Sequence, residues 1–324
     1  MTRRGINASS GASKNGKSNC RRTCWIRIDG GAMKLDSKFV GTKLKEYSSK
    51  IEWRETTNYA AAISDNNPFY FDDERDDGIV APPMFAEGLA WRISGKIREY
   101  IEAEDFPAEV LMTQVHYSEH ISFHRPIVPG DELTLRGEVA AILPHRAGTH
   151  AVIRYDAADK RGQPVFTKHT GSMMRGVECT GGGRGEESLP EVPAPPDDHD
   201  GPAWTLKIEI DPMLPYVYDG CADIVFAIHT SPRFAKSVGL PGIILQGTAT
   251  LALAAREILN READGDPRRL KEIACRFSGM VAPGTEITMN LDAAAESAGG
   301  KDLFFTVENA EGKHAIRKGY ARIE

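Results

Sequence analysis

Apolar residues recur along this chain with two periods, and the change from one to the other happens twice. From Pro83 to Tyr100 the residues Phe85, Leu89, Ile93 and Ile97 stand four apart, one stripe on a helix. Alternating runs then predict strands over 110–124, 131–144, 148–157 and 163–175. The same order returns further on. A helix is predicted from Gly247 to about Glu262, with Thr248 to Ala255 small or apolar on every side and charges starting at Arg256. That end should be buried. Strands are predicted over 270–278, 285–294, 303–309 and 314–323. Each half reads as one long buried helix followed by antiparallel strands, a sheet that curls around its helix and leaves its outer face wet.

The halves also match in wording. Phe123-His-Arg-Pro-Ile-Val-Pro-Gly-Asp-Glu-Leu-Thr-Leu135 parallels Phe277-Ser-Gly-Met-Val-Ala-Pro-Gly-Thr-Glu-Ile-Thr-Met289: an apolar approach, a Pro-Gly turn, then an alternating strand. Between them, residues 176–203 are dense in Gly, Pro and acids and read as a linker. The expected organisation is a basic tail over 1–32, an N-terminal domain over 33–175, the linker, and a C-terminal domain over 204–324.

Composition narrows the function. The chain has 324 residues, 41% hydrophobic and 27% charged, with a net charge of −6. The first 32 residues hold seven Lys or Arg against one acid, so residues 33–324 carry −12. That balance gives no reason to expect nucleic acid as a partner. No run approaches the ~18 apolar residues of a membrane span. The tail lacks an apolar core of its own, so it reads as disordered rather than as a secretory signal, and Met33 is an alternative start. Its Cys20 and Cys24 supply only two of the ligands a metal clip needs. The five cysteines are scattered and read as reduced thiols of a cytoplasmic protein.

The chemistry sits upstream of each helix. The first half has Tyr59-Ala-Ala-Ala-Ile-Ser-Asp65-Asn-Asn67-Pro68-Phe-Tyr70. The second has Tyr218-Asp-Gly-Cys-Ala-Asp223-Ile-Val-Phe226-Ala227-Ile-His229, and later Leu245-Gln246-Gly247 opening the helix. These stretches, in this order, resemble the MaoC-like dehydratases and R-specific enoyl-CoA hydratases. Their signature is Asp-x-Asn-Pro-x-His followed by His-Gly at the start of the central helix. The resemblance covers nearly all of 33–324. It implies an α+β tandem double hot-dog fold, with two antiparallel sheets each wrapped around a long central helix. It also implies a hydro-lyase that reversibly adds water to a 2-enoyl-CoA or related unsaturated acyl-CoA, giving the R-3-hydroxyacyl-CoA. An acyl-CoA substrate is implied, with no metal or redox cofactor, and a homodimer of such units is common in the family.

The chemical logic is simple. One group must deprotonate water as it attacks C3, and a proton must reach C2. A backbone N–H at a helix start can stabilise the thioester oxygen as it gains charge. The resemblance gives those roles to His229 and Gly247, with Asp223 as the carboxylate and Gln246 in the place of the second His. Asp223 is six residues before His229 rather than five, and Phe226-Ala227 replaces Asn-Pro. The first half keeps Asp65, Asn67 and Pro68, but Tyr70 replaces the His and Pro82-Pro83 the helix entry. Asp65, Asn67 and Tyr70 therefore read as the remnant of a second site, with Asx turns as the alternative role. A split site, with Asp65 serving His229, is a further arrangement.

His116, His120 and His124 are predicted to stand on a strand, about 13 Å end to end, too far for one metal. Arg125 and Asp131 read as structural. Two functional alternatives remain: a catalytically silent acyl-CoA-binding subunit, since both motifs are incomplete, and an acyl-CoA thioesterase.

Overall fold

The computed structural model describes residues 33–196, 201–297 and 299–324. The tail over 1–32, with Cys20 and Cys24, lies outside them. The first half runs through β1 (Lys34–Asp36), β2 (Lys43–Lys50), α1 (Trp53–Ala62), α2 (Pro68–Phe71), α3 (Phe85–Ser94) and α4 (Ile97–Tyr100). It continues with β3 (Gln114–Phe123), β4 (Glu132–His145), β5 (Gly148–Asp159), β6 (Pro164–Arg175) and β7 (Glu178–Thr180). The second half holds β8 (Trp204–Glu209), α5 (Leu214–Ala222), α6 (Ala227–Thr230), α7 (Pro232–Ser237) and α8 (Gly247–Glu262). It ends with β9 (Leu270–Phe277), β10 (Glu286–Ser297), β11 (Gly300–Glu308) and β12 (His314–Ile323).

The two sheets are joined into one of ten strands, ordered β2-β4-β5-β6-β3-β9-β12-β11-β10-β8. The order reads alike from either edge, so the duplicated halves are related by a pseudo-twofold. Its axis passes where β3 and β9 pair antiparallel, with His120 opposite Ala274. On the helical layer it passes between Tyr59 and Tyr218, whose hydroxyls bond at 2.9 Å in the buried interior. One continuous core runs under both halves, from Leu89, Ile93 and Tyr155 to Leu251, Ile258 and Phe305. The fold is the tandem hot-dog arrangement, α+β, with α3 and α8 as its central helices.

Both helices follow from their sequences. In α8 the Ala- and Leu-rich start favours helix, and Thr248 to Ala255 are buried as the pattern required. It ends where Asp264 and Gly265, at φ 52° and 74°, turn the chain away and the Gly265 N–H donates to the Leu259 carbonyl. The predicted helix 83–100 is broken. Phe85, Leu89, Ile93 and Ile97 are all buried, but Gly95 and Lys96 divide α3 from α4. Gly88 has a separate purpose: a Cβ there would stand 2.7 Å from the Ala222 carbonyl oxygen. Its absence lets the end of α5 lie directly on α3 of the other half.

The start of the linker is packed. Cys179 in β7 pairs with Leu35 in β1, Val177 is buried, and Arg184 bridges to Ile142. The glycines at 181, 182, 183 and 185 all have positive φ and turn the chain back onto the first half. Composition flagged the turns but not the short apolar residues between them. No helix among the described residues is long and apolar enough to cross a membrane.

Candidate active site

His229 lies on α6, a single turn that follows the α5 terminus seated on Gly88. Its Nδ1–H donates to the Ile244 carbonyl at 2.8 Å, which fixes the tautomer and leaves the Nε2 lone pair free. Burial holds this imidazole at a pKa of about 4, against the opposing effect of the Ile244 bond. It is therefore neutral at pH 7, the form that can take a proton. Phe226 stands edge-on to it with centroids 6.1 Å apart, and to Phe234 at 6.0 Å.

Ile244 leads into Gln246 and Gly247, held by the Leu245 N–H on the Val281 carbonyl at 2.8 Å. Gln246 is buried; its Nε2 donates to the Pro215 carbonyl at 2.9 Å, while its Oε1 has no partner. No side chain caps α8, so its leading N–H groups are unclaimed by a cap. Gly247 opens the helix with the Phe277 ring 3.2 Å from where a Cβ would be. The structure thus brings His229, Gln246 and Gly247 to one end of α8.

Asp223 is not brought to them. It is exposed, in a left-handed conformation at the end of α5 (φ 56°), and no hydrogen bond or ion pair joins it to His229. The left-handed turn absorbs the extra residue of spacing but points the carboxylate outward, while Ile224 takes the buried place. The carboxylate that does approach the loop is Asp219, one turn earlier. It accepts the Phe226 N–H, its Oδ1 is buried without a partner, and burial pushes it up, against that N–H bond. Its signal was visible only as a one-turn offset from Asp223.

The first-half residues sit at the far end of α8. The Asp65 Oδ1 accepts the Asn67 N–H at 3.2 Å, and burial raises its pKa against that bond and nearby Arg256. The Asn67 Oδ1 caps α2 through the Phe69 N–H at 3.0 Å, and its Nδ2 donates to the Gly265 carbonyl at 2.6 Å. Tyr70 is buried against Ala60 and Val80. Gly265 follows the C-terminus of α8, a helix of 16 residues, so the Asp65 group and the Gly247 entry are separated by about 24 Å of helix. Asp65 cannot share a water with His229, and the split-site arrangement is corrected on that ground. At the Pro82-Pro83 entry the remaining hollow has about 20 Å³ of room, no more than one water occupies. Arg125 holds Asp131 by two bonds, 2.7 and 2.9 Å, and steadies the first Pro-Gly turn.

One group of residues was missed. Lys168 is buried and bonds Glu87 Oε2 at 3.0 Å, Glu119 Oε2 at 2.6 Å and the Thr170 hydroxyl at 2.7 Å. Glu119 also meets the His116 Nε2 at 2.9 Å. Burial, with Glu119 beside it, pushes Glu87 up to about 7. Burial also disfavours the charged Glu119, but Lys168 and His116 outweigh it and hold that carboxyl below its usual range. His116 was read as sharing one strand face with His120. A bulge between His116 and Ser118 changes this: His116 pairs with Ser172 and turns to the inner face with Glu119, while His120 stays on the outer one.

Comparison with known proteins agrees with this geometry. A model of the FAS1-like dehydratase domain region matches residues 38–168, and one of the MaoC like domain matches residues 222–314. Fold and site define a pair of dehydratase-type hot-dog modules in one chain. The chain thus carries a FAS1-like dehydratase region in its first half and a MaoC-like domain in its second. A probable enoyl-CoA hydratase 2 of Dictyostelium discoideum is 23% identical over 290 residues, 89% of this chain and 96% of that protein. A MaoC-like dehydratase structure from Phytophthora capsici aligns with a TM-score of 0.74 at 22% identity, over 89% of this chain and 98% of that one. A Mycobacterium tuberculosis protein with a double hotdog fold aligns with a TM-score of 0.55 at 14% identity, over 87% of this chain and 95% of that one.

Proposed function

We propose that the chain is a hydro-lyase that reversibly adds water to a 2-enoyl-CoA, or a related unsaturated acyl-CoA, and forms the R-3-hydroxyacyl thioester. The observation that carries this is the neutral imidazole of His229, tautomer fixed by Ile244, beside the uncapped start of α8. The His229 Nε2 takes a proton from water as its oxygen attacks C3. The Gly247 N–H stabilises the thioester oxygen as charge builds there. The unpartnered Gln246 Oε1 accepts the other hydrogen of that water and orients it. The reaction needs CoA only as part of the substrate, and the second-half site is the working one. Each half already completes the other within one chain, so a monomer suffices for this reaction, and a homodimer of such chains is compatible with it.

The test is purified protein with crotonyl-CoA and a mesaconyl-type CoA ester, following loss of the enoyl absorbance and the configuration of the product. Turnover to the R product is expected. CoA esters that raise the melting temperature by mass action without turnover would mark the chain as a silent acyl-CoA-binding subunit. That alternative draws support from Asp223 facing solvent. Release of free thiol would mark thioester hydrolysis.

A further inference from the structure

The turn that carries the base has little apolar packing to hold it. α6 is four residues long, Ala227–Thr230, and buries none of them. So short a helix does not persist by itself. Extended backbone flanks it on both sides, Phe226 at φ −149° and Ser231 at φ −116°. Ahead of it the chain leaves α5 through the left-handed Asp223, and of residues 223–226 only Ile224 is buried. Yet the His229 Nε2 must keep a fixed place before Gly247, since a shift of ~1 Å at a reacting group costs on the order of 100-fold in rate.

Polar contacts take over where packing is thin. On the α8 side, the His229 Nδ1–H donates to the Ile244 carbonyl at 2.8 Å. On the α5 side, the Asp219 carboxylate accepts the Phe226 N–H. Phe226 passes that hold to the base twice. Its carbonyl accepts the His229 N–H at 3.0 Å, and its ring stands edge-on to the imidazole. Asp219 thus spans the reversal at 223–225 and joins α5 to the first residue of the His229 turn. Its own support is rigid. Tyr218, next to it on α5, is buried and bonded to Tyr59 at 2.9 Å, and the end of α5 lies on Gly88. The Asp219 Oδ1 is buried without a partner, so the side chain turns inward against the loop, where a merely solvated charge would face water.

We propose that Asp219 is a positioning residue of the site: its carboxylate ties the start of α6 to α5 and so sets the His229 Nε2 before the Gly247 entry. This rests on the hydro-lyase reading above. Asp219 acts through Phe226 and His229 and touches no substrate. Without its acceptor oxygen α6 lifts from the entry, the imidazole is wetted, and water is no longer held between the His229 Nε2 and the Gln246 Oε1.

The test compares wild type with Asp219→Ala and Asp219→Asn on crotonyl-CoA, with kcat, KM, melting temperature and a pH profile for each. Ala removes the acceptor, while Asn keeps an oxygen of the same reach. The expected result for Asp219→Ala is a kcat at least ~10-fold lower, with Asp219→Asn restored to within ~threefold of wild type. The melting temperature should stay near wild type in both, since Asp219 is only half-buried. The acid limb of kcat/KM, where the base takes up its proton, separates position from packing. Burial holds His229 at about 4, so a lifted turn should move that limb up toward the ordinary 6.5 in Asp219→Ala and leave it near 4 in Asp219→Asn. An Asp219→Ala enzyme that hydrates within threefold of wild type overturns the inference and leaves the hydro-lyase reading standing. Asp219→Asn as impaired as Asp219→Ala overturns it, because the acceptor oxygen would not be what matters. A kcat loss that only follows loss of folded protein, with the acid limb kept near 4, overturns it as well. A wild type that hydrates no enoyl-CoA overturns both.

Discussion

Glu87→Gln tests the charge balance of the buried cluster. Glu87 Oε2 accepts from Lys168, but its Oε1 is buried without a partner, and burial beside Glu119 pushes the carboxyl from 4.5 to about 7. A carboxyl with a folded pKa above its unfolded one contributes stability that is fully present below pH 4.5 and lost as pH rises through about 7. The shift corresponds to roughly 3 kcal/mol. Gln copies the protonated form and does not titrate, so the difference in stability between variant and wild type should grow by that amount from pH 5 to pH 8. For a chain of this length that is about 5 °C in melting temperature. Thermal melts of both proteins across that range give the difference directly, and other groups cancel. Any fixed cost of the buried amide lowers the whole difference curve without changing its slope. A difference flat to within a degree, or one that falls with pH, would show that Glu87 does not hold the proton of this cluster.

Two further outcomes follow from the same packing. His150, His169 and His229 are each held at about 4, chiefly by burial, so each contributes stability present above pH 6.5 and lost as pH falls through about 4. Unfolding near pH 5 should take up about two protons net, almost one from each ring less the one that Glu87 gives up, by calorimetry in buffers of different ionisation enthalpy; uptake below one would contradict the burial of these rings. Gly88→Ala places a Cβ 2.7 Å from a backbone oxygen that cannot rotate away. It should cost ~1–3 kcal/mol in urea unfolding and lower kcat by shifting the α5 terminus and the His229 loop. Equal stability and activity would mean that α5 does not depend on this contact.

Sequence pattern revealed the fold where side chains alternate or repeat over many residues. The eight long strands, both central helices and the duplication were readable because each buries a continuous apolar face. The single helix expected over 83–100 breaks at Lys96, whose backbone (φ −127°, ψ 31°) leaves the helical region although the apolar stripe continues to Ile97. β1, β7 and the packed start of the linker escaped because three-residue strands carry too little periodicity. The grouping of His229, Gln246 and Gly247 at one end of α8 was legible from motif order. Asp223 was read correctly as one residue out of frame, but whether a turn would swing it in or out depends on a left-handed φ that spacing does not encode. The Lys168, Glu87 and Glu119 cluster was invisible, since its members come from β6, α3 and β3 and look like scattered charges until the sheet closes. His116 was hidden by a bulge, which changes the face of a residue without changing the composition around it.

The central claim is that the second-half helix entry hydrates enoyl thioesters through His229. The most direct measurement is the single-turnover rate of crotonyl-CoA hydration by wild type and His229→Ala at pH 7.5, with both proteins shown to be folded and to bind the thioester. Loss of the base should slow the chemical step by ~100-fold or more while binding persists. A His229→Ala enzyme that hydrates as fast as wild type would contradict the account.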